Sequence, residues 1–329
     1  MSLSVQRYQD AGTFLKETRQ QLDLYELEHI YLLWSALKLE KQGLGNSYCG
    51  AVWKHNNGDQ EQKELVFAIV ALNNDTVYPT LFFTQDEQEC NLATQLLAED
   101  FFAAPIKANV IRGYDPSLKM VKDAWEKVAL SQSPPLDLSF VTTYPLCLSY
   151  TSPTEEEIRS SKAFVSVQGQ GYLLRRATTL EFPLLLAWTR AFLIHYGFLQ
   201  DENTPEPENI FDLPSDYDFI ELTSEFHLGS VYVWCTPDGL PVSMIWRRRP
   251  LATGCSIGYV YTPKEFRGRG YASSMVAAFT LELLKTYKYV SLMVDARQDV
   301  KENLYARVGY QYTGTMIRYQ SSTIPNVGA

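Results

Sequence analysis

One segment constrains the fold more than any other: Gly258-Tyr259-Val260-Tyr261-Thr262-Pro263-Lys264-Glu265-Phe266-Arg267-Gly268-Arg269-Gly270-Tyr271-Ala272. The β-rich run from Ser256 to Thr262 reads as a strand that Pro263 ends. A basic, glycine-rich stretch follows, Arg267-Gly268-Arg269-Gly270. Beyond it Ala272, Met275, Val276, Phe279 and Leu283 recur at helical spacing and predict a helix with one apolar face. Strand, glycine loop and helix in that order build an anion site. Glycine lets the backbone approach a ligand, and the free N–H groups at a helix start favour a phosphate. Lys264, Arg267 and Arg269 add positive charge beside it. The ligand implied is a phosphate-bearing cofactor; the bland alternative is a surface loop joining a strand to a helix. No Gly-Lys-Ser/Thr follows, so this is not a Walker loop, and the third small residue of a dinucleotide fingerprint is missing.

A second segment has related character. Tyr289 to Asp295 reads as a buried strand. Asp299 and Glu302 have capping-box spacing, Leu304, Tyr305 and Val308 mark a short helix, and Gly309 suits its C-cap. Tyr310 and Tyr312 resume a strand.

Taken together, Arg267, Gly270 and Ala272, followed by Leu304-Tyr305 and Gly309-Tyr310, resemble the GCN5-related N-acetyltransferases, across roughly residues 170 to 320. The resemblance implies an α/β (α+β) fold with a mixed central sheet flanked by helices. It implies acetyl-CoA as cosubstrate, no metal, and direct attack of a primary amine on the thioester. Tyr259, Val260 and Tyr261 would pair with the pantetheine amides as an added strand does, and one N–H there would polarise the thioester carbonyl. Arg267, Gly268, Arg269, Gly270, Tyr271 and Ala272 would hold the pyrophosphate. Tyr305 would protonate the departing thiolate; otherwise it packs in the core. The family's usual Asn ahead of that Tyr is replaced by Gln298, and Asn303 is taken as a cofactor contact. Glu221, Glu225 or Asp295 is the general base, or water carries the proton; each carboxylate also has a solvated or structurally paired reading.

The remaining elements fit the same plan. Gly171 to Ala177 reads as a first strand, Thr178 or Thr179 with Glu181 as a helix start, and His195 to Gly197 as its end, with Pro183 in the tolerated first turn. The acidic stretch through Pro205, Pro207 and Pro214 reads as a loop. Two strands, from Ser230 and from Pro241, flank an Asp238-Gly239 turn. In the first half a helix over Leu24 to Leu39 precedes strands at Tyr48–Trp53, Leu65–Leu72 and Val77–Thr84, the first two around His55-Asn56-Asn57-Gly58. A helix from Asp86 to Phe102, a strand at Asn109–Gly113, a helix from Pro116 to Leu130 and a β-rich segment at Leu136–Tyr150 complete it. This order echoes the second half, yet no Arg-Gly-x-Gly-x-Ala lies between Thr84 and Asp86. The reading is two tandem units: residues 1–155 degenerate, 156–170 a linker, 171–329 catalytic. The first unit is expected to complete the substrate cleft and bury the back of the second.

Composition narrows the classes. Five cysteines without paired spacing give no disulfide framework, and Cys255 reads as buried packing. His29, His55, His195 and His227 are scattered and form no metal motif. A net charge of −9 argues against nucleic-acid binding and suits a cationic, amine-bearing small molecule or peptide acceptor. The polar first residues lack a signal-peptide core, and no apolar run has the length of a membrane span, so a soluble, cytoplasmic protein is expected. Arg247-Arg248-Arg249 has the charge to bind an acidic acceptor or the cofactor's 3′-phosphate, but reads first as a solvated strand end. A competing class is a non-catalytic acyl-CoA-binding sensor or regulatory protein.

Overall fold

A computed structural model describes residues 2–55, 63–72, 76–82, 86–104, 109–133, 135, 138–143, 147–196 and 216–321. Its contacts form two compact units, residues 1–146 with 315–329, and residues 147–314.

In the first unit β1 (Ser2–Arg7), α1 (Ala11–Leu22) and α2 (Ile30–Gln42) precede an antiparallel meander of β2 (Tyr48–His55), β3 (Lys63–Ala71) and β4 (Thr76–Leu81). The helix expected over Leu24–Leu39 starts later, at Ile30, and β1 and α1 were not anticipated; Asp10 caps α1 by accepting from the Thr13 N–H. α3 (Glu87–Phe102) crosses to β5 (Val110–Tyr114), which lies parallel to β4, and α4 (Ser117–Leu130) and β6 (Phe140–Thr142) follow. Residues Leu65 to Ala71 are buried without alternation, as in a strand covered on both faces. Trp125 of α4 stacks on Phe101 of α3 at 4.5 Å between ring centres, anchoring this core.

In the second unit β7 (Cys147–Thr151), α5 (Glu155–Ser160) and α6 (Lys162–Val165) come first. Next are β8 (Leu173–Arg176), α7 (Phe182–His195) and α8 (Tyr217–His227). The meander of β9 (Val231–Cys235), β10 (Pro241–Arg248) and β11 (Gly254–Tyr261) follows. α9 (Tyr271–Leu284) crosses to β12 (Tyr289–Asp295), parallel to β11, and α10 (Leu304–Val308) leads into β13 (Gln311–Ser321). The sheet of this unit runs β7-β12-β11-β10-β9-β8. Leu185, Trp188 and Leu222 of α7 and α8 pack on one face, and Met275, Phe279 and Val308 of α9 and α10 on the other. The expected helix start at Thr178 and Glu181 is present as a 3-10 turn, Thr179–Glu181, leading into α7, where the Glu181 carboxylate accepts from the N–H and hydroxyl of Thr178.

The units do not follow the boundaries at 155 and 171. β7 precedes the expected linker, yet it pairs with β12 from Ser291↔Thr151 to Asp295↔Cys147. β13 lies at the far end of the chain, yet Met316 to Gln320 pair with β5 and Tyr319 to Ser321 with β6. Strand pairing, not chain order, defines each unit. The expected linker is itself helical: Thr154 and Glu157 form a capping box on α5, and Ser161 caps α6. Of the connection expected from His55 to Gly58, His55 ends β2; residues 56–58, the helix end at Gly197 and the loop through Pro205, Pro207 and Pro214 lie outside the described residues. Among the described residues, no helix is long and apolar enough to cross a membrane.

Candidate active site

The site is built where β11 and β12 part. Their parallel ladder runs from Gly254↔Tyr289 to Ser256↔Ser291, while the strands themselves continue to Tyr261 and Asp295. β12 stays paired on its far side with β7. The end of β11 thus offers backbone groups toward β12 that this ladder does not use, an edge that can accept an extended ligand.

A bulge re-aims that edge. On β10 only Ile245 separates the paired residues Met244 and Trp246; on β11 both Tyr259 and Val260 separate their partners, Tyr261 and Gly258. The extra residue reverses the alternation of β11. Cys255 and Ile257 face α9; past the bulge Val260 takes that face, and Tyr259 and Tyr261 turn toward α7 and α8. Tyr259 has φ of 50°, a left-handed conformation costly for an aromatic residue. Packing holds it there: its ring stacks on Trp246 at 3.9 Å and on Phe192 at 4.7 Å, and the Arg248 guanidinium lies 5.3 Å from its centre. Tyr271 sits on the opposite face from Tyr259 and Tyr261, beside Tyr172.

The glycine loop follows. Gly268 and Gly270 have φ of 77° and 81°, and a Cβ on either would meet open space. Conformation, not crowding, demands glycine here, and the space in front of the loop is free. Gly270 is the N-cap of α9 and offers no side chain to its first N–H groups, which have no partner within the helix. Arg267 is partly committed: its Nε donates to the Thr262 carbonyl at 2.8 Å. Ala272, expected beside the cofactor, lines a pocket of about 610 Å³ with Gly268, Gly270, Tyr271 and Ser273. The geometry fits a pyrophosphate on the loop with its remaining nucleotide in the pocket.

Tyr305 stands on α10, its ring edge-on to Tyr310 at 6.2 Å. Among the described residues its hydroxyl makes no hydrogen bond. Burial, reinforced by the nearby Tyr196 and Tyr310 phenols, pushes Tyr305 well above the usual tyrosine range, so it stays protonated. Asn303 is a correction. Its Oδ1 caps α10, accepting from the N–H groups of Tyr305 (2.9 Å) and Ala306 (3.0 Å). Its Nδ2 donates to Tyr150 Oη at 2.7 Å and to the Asp299 carbonyl at 2.8 Å. With both ends used it orients Tyr305 rather than touching a cofactor. Asp299, expected to start the helix, caps only the turn before it, accepting from Lys301 and Glu302.

The three carboxylates proposed as bases are all engaged. Burial raises Asp295, but the hydrogen bonds and charge of Arg297, 2.6 Å away, outweigh it and hold the carboxyl below its ordinary value. Glu221 and Glu225 of α8 share Arg248, at 2.5 and 3.3 Å. Burial lifts Glu225 above its ordinary value against the pull of Arg248. Arg248 is therefore not part of a solvated strand end. The sequence could not show this, because the partners lie on another element. Cys255 is buried and pushed up to about 12 by burial, consistent with packing.

His195, which no sequence motif marks, lies near this site. α7 lies along β11, with Trp188 against Tyr261 and Phe192 against Tyr259. Its C-terminal end brings His195 into the field of Arg267, Lys264 and Arg297. Burial and those cations lower its pKa, favouring the neutral ring. Tyr196, next in the chain, is in turn within electrostatic reach of Asp295 and Tyr305. Only the field pattern, not any motif, could have flagged this pair.

These features define the second unit as a GCN5-related N-acetyltransferase fold: a meander with a bulged last strand, a glycine loop, a helix, and a parallel strand that diverges. A family model described as FR47-like protein matches residues 243–319, which hold the bulge, the loop and Tyr305. A GNAT-family acetyltransferase from Colwellia psychrerythraea aligns at a TM-score of 0.54 and 11% identity, over 97% of this chain and 100% of its own. A GCN5-related N-acetyltransferase from Sphaerobacter thermophilus aligns at 0.53 and 13%, over 98% and 96%. A tandem GNAT protein from the clavulanic acid biosynthesis pathway aligns at 0.52 and 10%, over 100% and 99%. No curated protein sequence matches. At such identities the likeness is one of fold, and it bears out both the resemblance in the C-terminal half and the tandem plan.

Proposed function

We propose that the protein is an acyl-CoA-dependent N-acyltransferase, with acetyl-CoA as donor and a primary amine as acceptor. One observation carries this reading. The left-handed glycine loop at the start of α9 and the free edge of bulged β11 lie on consecutive segments, as a pyrophosphate and a pantetheine arm need them.

In this reading the N–H groups of residues 268–272 hold the pyrophosphate, with Arg267 and Arg269 adding charge. Tyr259, Val260 and Tyr261 pair with the pantetheine amides. The bulge points a backbone N–H at the thioester carbonyl, a fixed donor where negative charge develops in the transition state. Tyr305, kept protonated by burial and oriented by the Asn303 cap, donates to the leaving sulfur. The amine's proton goes to the Glu221–Glu225 pair, where burial raises Glu225 above its ordinary value. Asp295 is a poor choice because Arg297 holds it ionised.

The test is calorimetric titration of acetyl-CoA into the wild type and into Gly270→Glu. Binding by the first and none by the second supports the reading; no binding by a folded wild type sinks it. The second reading, a non-catalytic acyl-CoA-binding protein, draws support from the ion pairing of all three carboxylates. Release of free thiol in the presence of an amine panel separates the two.

A further inference from the structure

We propose that Lys162 and Arg307 form a subsite for the 3′-phosphate of coenzyme A, so that this protein distinguishes the cofactor from its 3′-dephospho form. The inference deepens the acyl-CoA reading above and rests on it.

The pocket beside the glycine loop has three walls. Gly268, Gly270 and the start of α9 form one, Leu304 and Arg307 of α10 another, and Lys162, Ala163 and Ser166 of the α6 segment the third. Its volume of about 610 Å³ suits a nucleoside and exceeds what a pyrophosphate alone requires. Every charged side chain that lines it is basic: Lys162, Arg267 and Arg307. This holds in a chain whose net charge is −9, so the pocket departs in sign from the molecule as a whole.

The three cations are not equivalent. Arg267 is tied to the Thr262 carbonyl at the loop and lies over the Tyr261 ring, on the pyrophosphate side. Lys162 and Arg307 are exposed, and among the described residues neither forms an ion pair. They approach from two different helices and face the same space. A ligand that places a diphosphate on the loop and a further phosphomonoester beyond it would meet both.

The α6 wall is held in place. Ser274 Oγ of α9 donates to the Ala163 carbonyl at 2.8 Å, and Ser161 caps α6 by accepting from the Phe164 N–H at 3.3 Å. The segment expected to be a linker is thus docked on the cofactor helix, and it carries the lysine into the pocket. A short helix from outside the repeated strand-and-helix plan supplies part of the recognition.

The experiment compares coenzyme A with 3′-dephospho-coenzyme A by calorimetry, on the full chain. The wild type should bind coenzyme A about tenfold tighter, the scale of two solvent-exposed charge contacts. That preference should shrink as salt is raised. Lys162→Ala/Arg307→Ala should bind both ligands alike, at the wild type's affinity for the dephospho form. Both side chains are exposed, so folding is spared. Equal binding of the two ligands by the wild type, or a preference that survives in the double variant, overturns the subsite and leaves the acyl-CoA reading standing. Failure of the wild type to bind either ligand overturns both.

Discussion

α3 and α9 begin at corresponding places in their own units. Each follows the last strand of a meander and crosses to a parallel strand, β4 to β5 and β11 to β12. Their first turns are opposite in chemistry. Asp86 caps α3 with its own carboxylate, accepting from the N–H groups of Gln88 (2.9 Å) and Glu89 (3.4 Å), and Glu87 and Glu89 add negative charge. Gly270 caps α9 with nothing, and the charged residues just before it are Arg267 and Arg269. One helix start satisfies its dipole from within; the other leaves its donors open to an external anion. In the proposed reading the same backbone plan yields a structural unit or a binding unit according to a few residues at one turn.

The largest effect that tests this contrast is Gly270→Glu. An added carboxylate at φ of 81° both strains the loop and occupies its anion position. Acetyl-CoA affinity should fall on the order of a hundredfold or more, given the strength of charge-assisted hydrogen bonds. Retained affinity would show that the cofactor reading of the loop is wrong. Next is Tyr305→Phe, which should lower kcat by about a hundredfold with little change in KM for acetyl-CoA. Because burial raises Tyr305, its acid form persists across the range in which an ordinary tyrosine, with a pKa of about 10, would begin to ionise. The kcat profile should show no descending limb from this group below that value, and a limb abolished by Tyr305→Phe would contradict the assignment.

Smaller effects probe the other side of the comparison. Asp86→Ala should destabilise the protein by about 1 kcal/mol, the usual cost of an N-cap, without changing acetyl-CoA affinity. Chemical denaturation and calorimetry on one preparation would check both. A change in affinity would mean that the first turn of α3 takes part in binding. Last, Asp295→Asn should change kcat by less than about threefold, since Arg297 already holds that carboxylate out of proton transfer. The folded Asp295 sits below its unfolded value, so its contribution to stability is present above the unfolded carboxylate range and fades as pH falls through the folded value. The variant should lose that advantage at neutral pH and converge with the wild type in acid; a kcat loss as large as that of Tyr305→Phe would make Asp295 the base.

Local signals were legible. The left-handed conformations of Gly268 and Gly270 and the pairing of Thr178 with Glu181 could be read because they rest on nearby backbone. The bulge at Tyr259 was not, since nothing in the strand's own residues reveals an unequal count on β10. Asn303 misled because cap and cofactor contact draw on the same amide; only its partners on other residues decide between them. Arg248 looked solvated because its partners, Glu221 and Glu225, lie on α8. The unit boundaries failed for the same reason: β-pairing is non-local, and β7 and β13 find partners that chain order does not suggest.

The placement of β13 bears on how the protein is made. A ribosome releases residues 1–146 long before residues 315–321 exist, so β5 emerges without the strand that pairs with it from Met316 to Gln320. Until then it is an open edge, the state in which a nascent chain is most prone to wrong partners. Closing it requires contacts between residues separated by most of the chain, a slow step. A stop codon anywhere before Thr315 would leave the early unit permanently open-edged, although every residue of its helices and first five strands had already been synthesised.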